Sequence, residues 1–280
     1  MQIAVASGKG GTGKTLLATT LMRVLSSYGP VLIDADVEEP NAGLILGIKP
    51  DTTHEVNRPV PAIDPDRCNY CGKCAEICKF NALIVMVNQV LVYNELCHSC
   101  GACAYLCPQN AITEIGHPIG QIEQTNLAEN GILITGRLNI GEAQSPPMVK
   151  AAKSKFGAAK IRIIDCPPGT TCSMIESIRN SDYCLLITEP TPFGMHDLEL
   201  SLEAATMLGI PTGLVINRWQ GDDYTIGELS ARTGVPILAR IPFSAKLAQS
   251  YMKGRDPLEA MPSLSFILSD IIKQIREALS

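Results

Sequence analysis

A doubly wound, mostly parallel α/β sheet carrying an inserted α+β module is the fold that this 280-residue sequence predicts. Three observations predict it. A glycine-rich string, Ser7-Gly8-Lys9-Gly10-Gly11-Thr12-Gly13-Lys14-Thr15, lies between an apolar run at Ile3–Ala6 and a helical pattern with Leu17, Leu21, Val24 and Leu25 on one face. Short apolar runs recur at Val31–Ile33, Ile132–Ile134, Ile161–Ile164, Tyr183–Thr188, Gly213–Ile216 and Ile237–Ile241, with helical stretches among them. Such runs mark strands buried on both faces of a parallel sheet. Between residues 60 and 117 this pattern gives way to eight regularly spaced cysteines.

The first element is the glycine string. Strand, glycine loop, Lys-Thr and helix, in that order, form the context of a phosphate-binding P-loop. Gly8, Gly10, Gly11 and Gly13 let backbone N–H groups around Thr12 turn towards a phosphate, Lys14 reaches its outer oxygens, and Thr15 can bind Mg²⁺. A glycine-rich turn that binds nothing would not need this spacing. Lys9, inside the glycine run, is a second lysine that a plain P-loop does not require. With it, the string Gly8–Thr15 resembles the deviant Walker A motif of the MinD/ParA/Mrp ATPases, a group that also holds the nitrogenase iron protein. The resemblance implies a homodimer with nucleotide at its interface, in which Lys9 reaches across to the partner's nucleotide. Lys9, Lys14 and Asp36 are then the expected catalytic residues.

Val31-Leu32-Ile33 reads as the second strand, ending in Asp34-Ala35-Asp36. Carboxylates at a strand's C-terminal edge face the ligand crevice of a parallel sheet. The resemblance implies that Asp36 positions the attacking water and Asp34 contacts Mg²⁺ indirectly, with their order open.

Prolines 59, 61 and 65 mark a boundary. Beyond it stand Cys68, Cys71, Cys74 and Cys78, then Cys97, Cys100, Cys103 and Cys107, each quartet at 2-2-3 spacing. This is the bacterial ferredoxin pattern, twice. In such folds the fourth cysteine of each run crosses to the other cluster. Cys68, Cys71, Cys74 and Cys107 would hold [4Fe–4S] cluster I, and Cys97, Cys100, Cys103 and Cys78 cluster II. Thiolates also suit zinc, but zinc ribbons pair two C-x2-C units. Lys79 replaces the proline that usually follows the fourth cysteine, and His98 reads as a solvated loop residue. Ala82–Val87 and Gln89–Tyr93 should form a hairpin, with Ala111–Ile115 closing the module and His117-Pro118 handing the chain back. The expected domains are residues 1–59 with 118–280, and the insertion 60–117.

Downstream, a helix is expected from Ser145-Pro146-Pro147 to about Phe156, and Arg137 suits either a partner surface or a salt bridge. Ile161–Asp165 reads as a strand ending in a Walker B-like acid, so Asp165 should hold a Mg²⁺-bound water. Cys166-Pro167-Pro168-Gly169 resembles switch II of the same ATPases, which implies that the Gly169 N–H senses the γ-phosphate. Cys172 stands near the place of the cluster cysteine in the nitrogenase iron protein. No second matching cysteine accompanies it, so a free thiol near the dimer axis is expected. Cys166 and Cys184 read as small buried hydrophobes. Thr188–Pro192 resembles the next crevice loop. The resemblance also implies that Asn217 reads adenine beside Arg218, with Pro242-Phe243 flanking the base.

Composition narrows the functions. Net charge of −5 and a pI near 5.4 argue against a nucleic-acid surface. No apolar run reaches the roughly 20 residues that span a bilayer. The chain enters its first strand directly after Met1, so no signal peptide and a cytoplasmic location are expected. The C-terminal stripe Leu264, Leu268, Ile271, Ile272, Ile275 reads as helix packed on the domain. Only Lys273 and Arg276 lie on its polar side, beside Asp270 and Glu277, too few for a membrane-surface helix. Eleven cysteines fit a reducing compartment only if most bind metal. The expected cofactors are ATP/ADP, Mg²⁺ and two [4Fe–4S] clusters. The expected activity is slow, dimer-dependent ATP hydrolysis coupled to electron transfer with a redox partner. An ATP-gated scaffold or carrier in iron–sulfur or metallocofactor assembly is the alternative.

Overall fold

In the computed structural model, which describes residues 1–128, 130–155 and 159–280, the buried apolar runs assemble into one sheet of nine strands. In chain order the elements are β1 (Gln2–Ala6), α1 (Lys14–Val24), β2 (Val31–Asp34), α2 (Ala42–Leu46), β3 (Thr52–Ile63), α3 (Lys73–Ile77), β4 (Leu83–Val85), β5 (Val90–Val92), α4 (Ala102–Tyr105), β6 (Ile112–Asn126), β7 (Ile132–Leu138), α5 (Pro146–Ser154), β8 (Arg162–Asp165), α6 (Cys172–Ile178), β9 (Tyr183–Thr188), α7 (Pro192–Met207), β10 (Thr212–Trp219), α8 (Tyr224–Thr233), β11 (Ile237–Pro242), α9 (Ala245–Met252), α10 (Pro257–Ala260) and α11 (Ser263–Ala278). The sheet runs β11-β10-β9-β1-β8-β2-β7-β6-β3, parallel from β11 to β7. The end expected at Phe156 for α5 lies outside the described residues.

Side chains alternate across the sheet, and both faces are covered. Ile3, Val5, Leu32 and Ile163 pack beneath α1 and α11, with Leu21, Leu268 and Ile271. Ala4, Ala6, Ile33 and Ile164 pack on the opposite face against Met148 of α5, Met174 of α6 and Leu198 of α7. Period-2 alternation with both faces buried requires continuous apolar strands, which is why these segments read as uninterrupted runs. The stripe of α11 buries Leu264, Leu268, Ile271, Ile272 and Ile275, as its spacing requires. Among the described residues no helix is long and apolar enough to cross a membrane.

The edge of the sheet departs from the sequence reading. Pro59 and Pro61 do not end an element; they lie inside β3, which pairs with β6 from Thr52↔Gln124 to Ile63↔Ile112, with one register shift between Val56 and Asn57. Proline is tolerated because β3 is the outermost strand, bonded to β6 alone. Likewise β6 does not stop at Ile115. It continues to Asn126, and its second half pairs with β7. The chain therefore crosses residues 59–60 and 117–118 as a two-stranded antiparallel ribbon that is an extension of the main sheet. At the ribbon's far end β4 and β5 form the expected hairpin, and α3 packs on α4.

Candidate functional site

The loop after β1 takes its shape from its glycines. Gly11 and Gly13 have φ of +77° and +100°, values that L side chains avoid. A Cβ on Gly13 would also lie 2.5 Å from Asn217 Nδ2, and one on Gly8 would overlap the backbone of Asp197 in α7. The two lysines separate. Lys14 is buried at the start of α1, where Nζ donates to Ser7 Oγ at 3.0 Å and to the Lys9 carbonyl at 3.5 Å. Burial lowers its pKa, opposed by the charges of Asp165, Cys166 and Asp36. Lys9 turns outward to Glu189 at 3.7 Å, and the same carboxylate takes Arg218 Nη1 at 2.9 Å.

Asp34 and Asp165 end adjacent strands and are register partners. Asp34 is engaged by its own loop, accepting from the N–H groups of Ala42 at 2.9 Å and Asp36 at 3.3 Å. Burial, reinforced by Asp165, raises its pKa well above the carboxylate range. Asp36 lines the open cleft in front of it. Burial pushes Asp165 up to about 7, with Thr15 and Lys14 opposing and Asp36 reinforcing. Among the described residues Asp165 Oδ1 is buried with no hydrogen-bond partner. An orphaned carboxylate oxygen beside the Thr15 hydroxyl is an all-oxygen donor set of the kind that Mg²⁺ takes, so these residues fit the ion.

Gly169, at φ +83°, carries the turn after β8. Its N–H donates to the Ser7 carbonyl at 3.1 Å, docking this loop on the phosphate-binding loop. Thr171 caps α6 by accepting from the Met174 N–H, and Cys172, the first helical residue, is exposed. At the other end of α6, Lys153 Nζ donates to the carbonyls of Glu176, Ser177 and Arg179, each at 2.7 Å. Cys166 and Cys184 are buried in the core, as expected.

On the far side of the cleft, the β10–β11 register breaks between Ile216 and Trp219. Arg218 adopts φ +53° there. This irregularity aims two side chains at the glycine loop: Asn217 Nδ2 donates to the Thr12 carbonyl at 2.7 Å, and Arg218 Nη2 to the Gly11 carbonyl at 3.1 Å. The cleft encloses about 770 Å³ and brings together Gly10, Gly11, Gly13, Lys14, Thr15, Asp36, Asn217, Arg218, Pro242 and Phe243. It also contains Tyr251 of α9, which the sequence reading missed because a tyrosine in an amphipathic helix carries no motif. Burial and the charges of Asp165 and Asp34 push its phenol up to about 12. Arg137 forms a salt bridge with Glu123 at 3.2 Å.

At the ribbon's end the two cysteine runs repeat with an offset of 29 residues in sequence. The backbone repeats with them: Tyr70 and Ser99 both have φ of 55°, Gly72 and Gly101 have +82° and +70°, and Asn81 and Asn110 have 53° and 47°. The Ala82 N–H donates to Cys78 Sγ at 3.3 Å and the Ala111 N–H to Cys107 Sγ at 3.4 Å. One cavity is lined by Cys68, Cys71, Cys74 and Cys107, and a second by Cys78, Cys97, Cys100 and Cys103. Each cavity thus draws three thiols from one run and one from the other. Phe80 stacks on His98 at the rim of the second, with ring centroids 3.6 Å apart. Among the described residues no group of three or more His, Cys, Asp or Glu side chains is drawn together as a single-ion site.

The CobQ/CobB/MinD/ParA nucleotide binding domain family matches residues 3–258. An ATP-binding protein of Methanocaldococcus jannaschii, MJ0547, is 45% identical over 248 residues, which is 86% of this chain and 73% of that protein. The iron–sulfur cluster carrier protein of Pyrococcus abyssi is 22% identical, over 89% of this chain and 76% of its own length. The cell division ATPase MinD of Pyrococcus furiosus superposes with a TM-score of 0.58, covering 98% of both chains at 20% identity.

Proposed function

Since the chain belongs to the CobQ/CobB/MinD/ParA nucleotide-binding family and is an ATPase, we propose that it works as a nucleotide-sandwiched homodimer whose ATP state is coupled to two [4Fe–4S] clusters. The observation that carries this reading is the partition of eight cysteines into two four-thiol cavities, each with one residue from the opposite run. A zinc ion at about 2.3 Å from each sulfur needs its thiolates drawn together. Thiolates spread around a cavity suit a multinuclear cluster, and N–H groups donated to Sγ are the hydrogen bonds that cluster sulfurs take. Cys68, Cys71, Cys74 and Cys107 would hold cluster I, and Cys97, Cys100, Cys103 and Cys78 cluster II. Bound clusters would supply one-electron storage.

In the nucleotide site, catalysis rests on placed charge rather than covalent chemistry. The glycine-loop N–H groups and Lys14 hold the phosphates. Thr15 and Asp165 would hold Mg²⁺, with Asp34 behind them shaping the loop. Asp36, which faces the cleft, orients the attacking water. Gly169 exchanges its bond to Ser7 for the γ-phosphate, and Lys9 leaves Glu189 to reach the partner's nucleotide. Asn217 already donates through Nδ2, and its Oδ1 accepts from the adenine amino group, with Arg218 and Pro242 beside the base.

The test is composition: anaerobically purified protein should hold about eight iron and eight sulfide per chain, from two cubanes. Zinc, or four iron alone, would reject the two-cluster reading. The carrier reading is favoured by the iron–sulfur carrier relative and by the exposed Cys172. It predicts ATP-dependent loss of cluster to an apo-acceptor protein, whereas resident clusters stay bound through many turnovers.

A further inference from the structure

The two cluster sites are alike internally but differ in what they touch. Arg58, on β3, is buried and inserts between the Cys97 run and the nucleotide-binding domain. Its Nη1 donates to the Cys97 carbonyl at 2.7 Å and to Ser99 Oγ at 3.4 Å, and its Nη2 to the Asn94 carbonyl at 2.6 Å. The same Nη2 meets Glu142 at 3.2 Å, and that carboxylate is only 4% exposed. Gln144, two residues on, donates to the Cys97 carbonyl at 2.8 Å. His117, opposite Arg58 in the ribbon, stands 3.8 Å from Glu142. Glu142 and Gln144 belong to the loop between β7 and α5.

That loop is tied to the nucleotide site within a few residues. The Leu138 N–H donates to the Val37 carbonyl at 2.8 Å, and Val37 adjoins Asp36. A Cβ on Gly136 would come within 2.7 Å of Val37, so the two segments are in close contact. A displacement of the Asp36-Val37 loop therefore meets β7, then Glu142 and Gln144, then Arg58 and the Cys97 carbonyl. The Cys68 carbonyl, which is equivalent in the repeat, has no such side-chain donors among the described residues.

Resting on the two-cluster reading, we propose that cluster II alone is nucleotide-responsive, and that Arg58 is the positioning residue which makes it so. A buried guanidinium held by fixed hydrogen bonds at the backbone of one ligand run sets local charge and hydrogen bonding, the two levers that tune a cluster's potential. When Asp36 and Val37 move, Arg58 moves relative to cluster II and not to cluster I. By linkage, reduction of cluster II changes ATP affinity by the same factor.

The experiment is an EPR redox titration of the anaerobic holoprotein, with and without Mg²⁺ and a non-hydrolysable ATP analogue. Signals are assigned to the clusters by Cys71→Ser and Cys100→Ser. The expected result is a shift of cluster II by about 59 mV, equivalent to a tenfold change in its one-electron equilibrium, with cluster I unmoved. Arg58→Lys keeps the charge but loses the forked contacts; it should abolish the shift while iron stays at its wild-type content. Gln144→Ala removes one neutral contact and should reduce the shift. Equal shifts at both clusters, a shift at cluster I alone, or no shift at either would overturn the proposal. So would an undiminished shift in Arg58→Lys. If Arg58→Lys does not retain iron, Gln144→Ala decides: an unchanged shift there overturns it. A wild-type iron content short of two cubanes is a different failure, that of the cluster reading itself.

Discussion

Lys9 and Lys14 share one loop and have opposite surroundings, so their substitutions should separate. Lys14→Ala removes the buried cation of the glycine loop and should abolish nucleotide binding in calorimetry. Lys9→Ala should leave affinity within a few-fold, yet lose hydrolysis and ATP-driven dimerisation. Equal loss of affinity in both would contradict the division of roles. Asp165 supports a pH prediction. Its folded-state pKa is raised to about 7, so the native protein holds a proton that the unfolded chain has released. Between the ordinary carboxylate range and about pH 7, stability of the metal-free protein should fall as pH rises. Thermal melts across this window should show the fall, and Asp165→Asn should lessen it while abolishing hydrolysis, the remainder coming from the buried Asp34, whose pKa is raised in the same direction. The cysteines and the glycine loop were legible in the sequence because their chemistry fixes both residue type and spacing. Tyr251 and Arg58 were not, since each acts through contacts with residues distant in the chain and carries no local pattern; Glu189 was legible as part of a crevice loop, but not as the partner of Lys9 and Arg218.

Among elements, the parallel strands were legible for a related reason: burial on both faces leaves an unbroken apolar run. The ribbon was not, because β3 reads Thr-Thr-His-Glu-Val-Asn-Arg-Pro-Val-Pro-Ala-Ile, half polar and twice interrupted by proline. Only its position at the sheet edge makes such a strand possible. Its stability should depend on the pair it buries. Glu142→Ala leaves Arg58 as an uncompensated buried charge, which typically costs about 3–5 kcal/mol. Urea unfolding followed by circular dichroism should show a loss of that order, with Glu142→Gln milder because it can still accept a hydrogen bond. A change below about 1 kcal/mol would mean that water reaches the guanidinium. By contrast Thr171→Ala, which deletes the cap of α6, should cost about 1 kcal/mol.

For the molecule as a whole, the consequence of the dimer reading is a change of mass with nucleotide. Sedimentation should give a monomer without ATP and a dimer with the non-hydrolysable analogue, and Lys9→Ala should remain monomeric. Cys172 is exposed at the start of α6. If two copies bridge a further cluster there, reconstituted dimers would carry iron beyond two cubanes per chain, and Cys172→Ala would remove only the excess. The free-thiol expectation corresponds to no excess.

The paired register of β3 and β6 bears on how such a protein could have been assembled. Asn57 and Pro118 are Cα partners across the ribbon, so the strands that carry the chain to and from the cysteine segment lie side by side there. A segment with neighbouring ends can be spliced in or out without asking the host to bridge a gap. The 29-residue repeat within it gives the segment two halves built on one plan. A truncated chain in which a two-residue Asn-Gly turn joins Asn57 to Pro118 should still fold and bind ATP. Its failure to do so would mean that the cysteine segment and the rest of the chain form one folding unit.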